Sequence, residues 1–184
     1  MIVITAPSGA GKTSITQHLM KVFPQLAFSI SAATRQPRAN EKDGVDYYFI
    51  STEEFQKKIL NEEFVEWEMV YEGKYYGTLK SELSRIWGMN QVPVLDIDVK
   101  GAIHVQGEYP NNILTLFIEP PSIEELKRRL ESRGTESGES LEARLNKAAY
   151  ELTFKHSFSK TIMNKDLDEA QRNAESVIRD FLNS

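Results

Sequence analysis

The sequence predicts an α/β fold in which a parallel sheet is flanked by helices and interrupted by an α+β insertion and a short flexible segment. Three observations predict it. Short apolar runs alternate with segments of helical period. A glycine-rich loop ending in Gly11-Lys12-Thr13 joins the first apolar run to the first helix. Residues 34–85 then break the alternation with aromatic, amphipathic stretches.

The elements follow in order. Strands are predicted at 2–5, 27–31, 92–98, 113–118 and 160–164, where apolar and branched residues gather. Helices are predicted at 12–22, 99–106, 122–132, 140–156 and 167–182. Ser122, with Glu125 three residues on and Pro120-Pro121 before it, marks one helix start. In the insertion, 47–50 and 64–71 read as strands around a helix at 52–62, and 75–78 reads as folding back after a short turn. Residues 132–140, rich in Gly, Ser, Thr and Glu, read as a flexible hairpin between two charged helices.

Composition bounds the function. The 184 residues allow a sizeable core, and 40% hydrophobic content is ordinary for a soluble protein. Apolar runs fall short of the roughly 18 residues a membrane helix needs, and the first residues read as a core strand, not a signal peptide. The chain has no cysteine, which excludes disulfides and thiolate metal sites and fits a cytoplasmic protein. A net charge of −5 argues against broad nucleic-acid binding. Any polyanion it holds is therefore small and met by a local group of basic residues.

Residues 6–13, Ala6-Pro7-Ser8-Gly9-Ala10-Gly11-Lys12-Thr13, have the spacing of a phosphate-binding loop between a buried strand and a helix. Glycines at 9 and 11 let successive N–H groups turn inward around phosphate oxygens. Lys12 supplies a charge for the β- and γ-phosphates, Thr13 a hydroxyl for Mg²⁺, and the helix that follows points its positive end at the same place. A nucleoside triphosphate is the expected ligand.

Four other groups carry chemistry. Arg35 and Arg38 lie three apart after a strand, with Glu41 close behind. They read as an oxyanion site or as a solvated turn. Glu66 sits opposite Val65 and Trp67, facing either water or a bound base. A carboxylate accepts from both donors on the Watson–Crick edge of guanine, whereas adenine presents an acceptor and repels it. Asp96 and Asp98 end the strongest central strand on one face, suited to Mg²⁺ and ribose contacts. Arg129, Arg133 and Arg144, with Arg128, bracket the flexible segment, where closing arginines can neutralise a moving phosphoryl group. Tyr47 and Tyr76 read as core aromatics whose hydroxyls can also reach a phosphate.

In the family's order, the chain carries the loop, Ser31 through Thr34-Arg35 to Arg38, Asp43-Gly44-Val45-Asp46-Tyr47, Glu62-Glu63-Phe64-Val65-Glu66-Trp67, Tyr75-Tyr76-Gly77-Thr78, Leu95-Asp96-Ile97-Asp98, Arg133-Gly134-Thr135, and Asn164 before Asp166-Leu167-Asp168. Together these resemble the guanylate kinase family over 2–182. The resemblance implies the P-loop nucleoside monophosphate kinase fold, with core 1–33, 86–125 and 149–184, a GMP-binding insertion at 34–85 and a lid at 126–148. It implies Mg²⁺-dependent transfer of the ATP γ-phosphate to GMP, and to dGMP, within purine nucleotide metabolism. Ser31, Glu66 and Thr78 would recognise guanine, Arg35, Arg38, Tyr47 and Tyr76 would hold the GMP phosphate with Glu41 among them, and Asp98 would contact the ribose side. Asp96 would help position Mg²⁺, residues 6–13 would serve ATP, Arg129, Arg133 and Arg144 would close over the phosphates, and Asn164 would lie near the adenine.

The chain departs from the family at Ala6, where the first loop glycine is usual, and at Lys165, where an acid is frequent. Two rival readings exist. Asp98-Val99-Lys100-Gly101 and Asn164-Lys165-Asp166 imitate a regulatory GTPase, but Leu167 stands where its base-reading aspartate belongs. Guanylate-kinase-like scaffolds typically lose the loop, which is intact in this chain.

Overall fold

The computed structural model describes residues 1–132 and 138–184. Five strands form a wholly parallel sheet: β1 (Ile2–Thr5), β2 (Leu26–Phe28), β7 (Val92–Asp96), β8 (Leu114–Glu119) and β9 (Lys160–Met163), in the order β2-β7-β1-β8-β9. β1 is central and fully buried, as expected of a run that is apolar on both faces. Its residues divide by the two-residue period of a strand. Ile2 and Ile4 pack with Ile15 and Leu19 of α1 (Lys12–Val22) and with Ala170, Ala174 and Ile178 of α7 (Leu167–Leu182). Val3 faces the other way, onto Leu95, Phe117 and, from α4 (Val99–Glu108), Ala102 and Val105. Each fully buried Ile, Leu, Val or Phe among them contributes about 1.5–3 kcal/mol, the alanines less.

A second sheet of four strands has the order β4-β3-β6-β5, from β3 (Ala32–Ala33), β4 (Tyr48–Phe49), β5 (Phe64–Tyr71) and β6 (Lys74–Leu79). β5 and β6 form an antiparallel hairpin, so 75–78 does fold back beside Glu66, with Thr78 as its register partner. Below this sheet, α2 (Thr52–Leu60) inserts Phe55, which stacks on Phe64 at 4.3 Å between centroids. The side chain of Ser51 caps this helix by accepting from the Glu54 N–H.

Three local expectations are corrected. The strand expected at 27–31 ends at Phe28, because after Ser29 the chain leaves the first sheet and Ala32–Ala33 pairs in the second. The helix α3 (Lys80–Gly88) was not predicted, since it follows β6 without a breaker and its cap, Leu79, offers no side-chain oxygen. The helix expected at 140–156 is α6 (Gly138–Leu152), followed by a short 3-10 turn at Lys155–Ser157. The flexible hairpin expected around 132–140 falls largely on 133–137, outside the described residues. α6 packs on α5 (Ile123–Ser132) through Leu126, Leu130 and Ala148. Among the described residues no helix is long and apolar enough to cross a membrane.

Candidate active site

The loop 6–13 turns from β1 into α1 as its glycine spacing predicts. Gly9 and Gly11 adopt φ of 91° and 97°, the left-handed region open to glycine. Gly11 is also sterically required, because a Cβ there would lie 2.2 Å from the Nδ2 of Asn164. That carboxamide is buried behind the loop and donates to the Ala10 carbonyl at 2.7 Å. Asn164 is in turn held at the end of β9, where its N–H donates to Glu119 O and its carbonyl accepts from Arg129 Nη2 at 3.0 Å. Ala6 is buried and the loop still closes, with Ala10 N–H donating to Pro7 O.

A cavity of about 360 Å³ opens over this loop. Ala6, Pro7, Ser8, Gly9 and Gly11 line it, with Lys12 and Thr13 at the helix start and Arg144 from α6. A second cavity, of about 440 Å³, lies toward the four-stranded sheet. Ser31, Arg35, Arg38 and Glu41 line one side of it. Tyr47, Glu66, Tyr76, Asp96 and Asp98 line the rest. The two cavities share Ser8, Lys12, Val70 and Asp98, so they meet between the loop and the end of β7. Their position at the carboxyl end of a parallel sheet is where ligands collect in this architecture.

Lys12 bridges the two elements at that junction. Its Nζ lies 2.5 Å from Asp96 Oδ1 and donates to the Ile97 carbonyl at 3.0 Å. The Arg35 fork is held by Glu41, with Nη1 and Nη2 donating to the two carboxylate oxygens at 2.5 and 2.7 Å. The guanidinium carbon also lies 4.9 Å from the Tyr47 ring centroid. Glu41 accepts from the Arg38 N–H as well, at 2.8 Å, and these two donors hold its carboxyl down at about 2. A carboxylate repels phosphate, so Glu41 can act on an anion only by orienting the arginines around it.

Glu66 does not face water. Its carboxylate is buried, accepts from the Thr78 hydroxyl at 2.7 Å and faces the first turn of α4. Burial pushes its carboxyl up to about 7, against the Thr78 donor. Thr78 itself lies behind Glu66, buried and outside the cavity lining. Asp98 caps α4, accepting from the Gly101 N–H at 2.8 Å. Of the expected arginines, Arg144 lines the loop cavity, while Arg129 is tied to Glu125 and Asn164 beside it. Arg133 lies outside the described residues.

Three residues that the sequence did not single out belong to these walls, and a fourth, Gly101, stands behind them. Gly101 gives Glu66 its room, since a Cβ there would lie 2.8 Å from Oε2, and a glycine inside a helical turn was the available signal. Glu68, two residues beyond Glu66 on the same strand face, lines the second cavity. The neighbouring Asp98 and partial burial push the Glu68 carboxyl up, while Asp98 is held down. Lys147 and Glu151 line the loop cavity from α6.

Three comparisons place this architecture among known proteins. A family model described as guanylate kinase matches residues 1–181. A guanylate kinase of Bacteroides fragilis is 47% identical over 182 residues, covering 99% of this chain and 89% of that protein. One from Salinibacter ruber is 45% identical over 184 residues, covering 100% and 97%. The crystal structure of guanylate kinase from Anaplasma phagocytophilum superposes with a TM-score of 0.77 at 30% identity, over 97% of this chain and 84% of that one.

Proposed function

The chain belongs to the guanylate kinase family and is a nucleoside monophosphate kinase, an ATP:GMP phosphotransferase; on that premise we propose how its residues divide the work. ATP occupies the loop cavity, and GMP, or dGMP, occupies the second. The carrying observation is the junction: two cavities, one walled by a phosphate loop and one by a buried acceptor and an arginine fork, share Lys12 and Asp98.

In this reading the loop N–H groups and Lys12 hold the ATP phosphates, and Lys12 exchanges Asp96 for the β- and γ-oxygens. Asn164 serves ATP from behind, fixing the loop through Ala10. Ser31 and Glu66 read guanine, with Thr78 orienting the Glu66 carboxylate. Arg35, Arg38, Tyr47 and Tyr76 hold the GMP phosphate, Glu41 presents the two arginines, and Asp98 borders the ribose. Both wall systems close to exclude water. A GMP phosphate oxygen attacks the γ-phosphorus in line, and its bond forms as the bond to the ADP oxygen breaks. That oxygen is already anionic, so no general base is needed. Lys12, Arg129, Arg133 and Arg144 absorb the charge that develops.

Thr13 and Asp96 fit Mg²⁺, because both offer hard oxygen donors and line one cavity beside the start of α1, and Mg²⁺ takes one or two protein oxygens beside substrate phosphates. When bound it would neutralise phosphate charge. The insertion 34–85 and the lid 126–148 are the parts we assign to closure over core segments 1–33, 86–125 and 149–184. A cytoplasmic place in purine nucleotide metabolism fits a chain without cysteine.

The test is ADP release from Mg·ATP with GMP, AMP, CMP and UMP in turn. GMP should support turnover at least about 10²-fold faster than AMP, the discrimination expected when a buried carboxylate meets the wrong edge. Equal use of AMP would overturn the assignment of the base-reading wall.

A further inference from the structure

Helix α6 brings one more cation to the loop cavity. Lys147 stands three residues after Arg144, so the two share a helix face, and both line that cavity. Glu151, one turn on, lines it too, with its Oε1 3.8 Å from the Lys147 Nζ. A surface pair at this spacing ordinarily leaves both ends in water and contributes little. This pair is lopsided: the Glu151 side chain is 7% exposed and that of Lys147 50%.

A carboxyl withdrawn from water beside other acids needs a reason to stay. Burial pushes Glu151 up, Lys147 opposes that, and Asp98 reinforces it across the cavity. Lys147 lines the loop cavity together with Asp98, the residue both cavities share, and its charge favours ionised Asp98 and Glu68. Glu151 is buried in the wall, and Lys147 stands half exposed beside it in the cavity.

We propose that Lys147 is a further catalytic cation, whose ammonium contacts phosphate oxygens where the two cavities join, and that Glu151 is the residue positioning it. The inference rests on the two-nucleotide reading above. Bringing two polyanions together demands compensating charge along the whole phosphate path, and Lys12, Arg144 and Lys147 are the cations that line the loop cavity among the described residues. Lys147 takes no proton and forms no bond. It keeps its charge while the phosphoryl group passes from the ADP oxygen to the GMP oxygen.

The test compares Lys147→Ala, Lys147→Arg and Glu151→Gln with the parent in steady-state transfer from Mg·ATP to GMP. Lys147→Ala should lose about 10–100-fold in kcat, somewhat less than an enclosed donor because the lysine is half exposed, while both KM values stay within about threefold. Lys147→Arg, which keeps the charge, should recover most of that loss. Glu151→Gln should lie between the parent and Lys147→Ala. Affinity for a bisubstrate analogue, adenosine and guanosine joined by five phosphates, should fall with Lys147→Ala by about tenfold, a larger drop than for ATP alone. Unchanged kcat in Lys147→Ala, or a change confined to the KM values, overturns the catalytic role. Glu151→Gln equal to the parent overturns the positioning role. A parent that turns over with ATP but ignores GMP sinks the two-nucleotide reading itself, a result read from the parent alone.

Discussion

The loop cavity takes its shape from backbone, whereas the second cavity takes its shape from side chains gathered from distant elements. In the first, left-handed Gly9 and Gly11 and the clamp from Asn164 to Ala10 fix where the N–H groups point. In the second, Glu41 aims Arg35, Thr78 aims Glu66, and Gly101 leaves room for the Glu66 carboxylate. The difference teaches where each fails. Backbone geometry breaks sterically and all at once; a side-chain network loses one contact at a time.

The largest effect should come from the residue common to both. Lys12→Ala removes the cation that bridges the junction, and turnover should fall by about 10²–10³-fold with the fold intact. ADP release at saturating substrates checks the first and thermal melting the second. Next is the loop's steric rule. Gly11→Ala meets Asn164 Nδ2 at 2.2 Å and carries a φ of 97°. It should cost about 1–3 kcal/mol in stability through the backbone alone. Asn164→Ala in the same chain removes the clash and leaves the backbone strain, so the double variant should melt above the sum of the two single losses. Strict additivity would mean that the clamp and the glycine are not in contact, and the comparison would break.

The same contrast explains what the sequence made legible. The parallel sheet, the loop and most helices were readable because each is written in contiguous residues: an apolar run, a glycine pattern, a helical period. The guanidinium fork and the aspartate pair were visible as residue types, but their partners were not. Glu41 could be read from the sequence as part of an oxyanion site or as a surface acid, and only the fold shows it clamping the Arg35 fork. The alternation of β5 allowed Glu66 to face water, and only its packing against α4 turned it inward. Asp98 read as half of a pair with Asp96, yet it caps a helix while Asp96 meets Lys12. α3 escaped because helix starts are read from caps, and it has none. Asn164 was expected to serve ATP; its carboxamide is buried behind the loop and donates to Ala10, a long-range contact that no local pattern encodes.

Within the second cavity, Glu66 should impose a pH dependence. Its carboxyl is raised by burial from 4.5 to about 7. The neutral form is thus favoured by folding, and the stability it contributes is fully present below pH 4.5 and lost as pH rises through about 7. Guanine needs the ionised form, so affinity for GMP should rise over that same window. The GMP phosphate also ionises near pH 6, by about the same chemistry as other phosphate monoesters. Glu66→Gln keeps that second effect and removes the first. The variant should show a shallower rise in GMP affinity with pH, and a loss of about 5–100-fold in the preference for GMP over AMP. Identical pH profiles by titration calorimetry would return Glu66 to a structural role.

The smallest effect should come from Glu41, which holds the arginines and whose own charge repels a phosphate. Glu41→Gln keeps one acceptor for the Arg38 N–H or the Arg35 fork and gives up the charge that holds both. Arg35 keeps its place over Tyr47 and loses only its second tether. The KM for GMP should therefore rise about 3–10-fold with kcat and the KM for ATP nearly unchanged, the signature of a loss of uniform binding. Because the carboxyl is held at about 2, its contribution is fully present above 4.5 and is lost only as pH falls toward 2, so the variant's defect should stay constant from pH 6 to 9. A defect that appeared in kcat instead would mean that Glu41 steers an arginine onto the moving phosphoryl group, and the side-chain wall would then be part of the transfer machinery as fully as the loop.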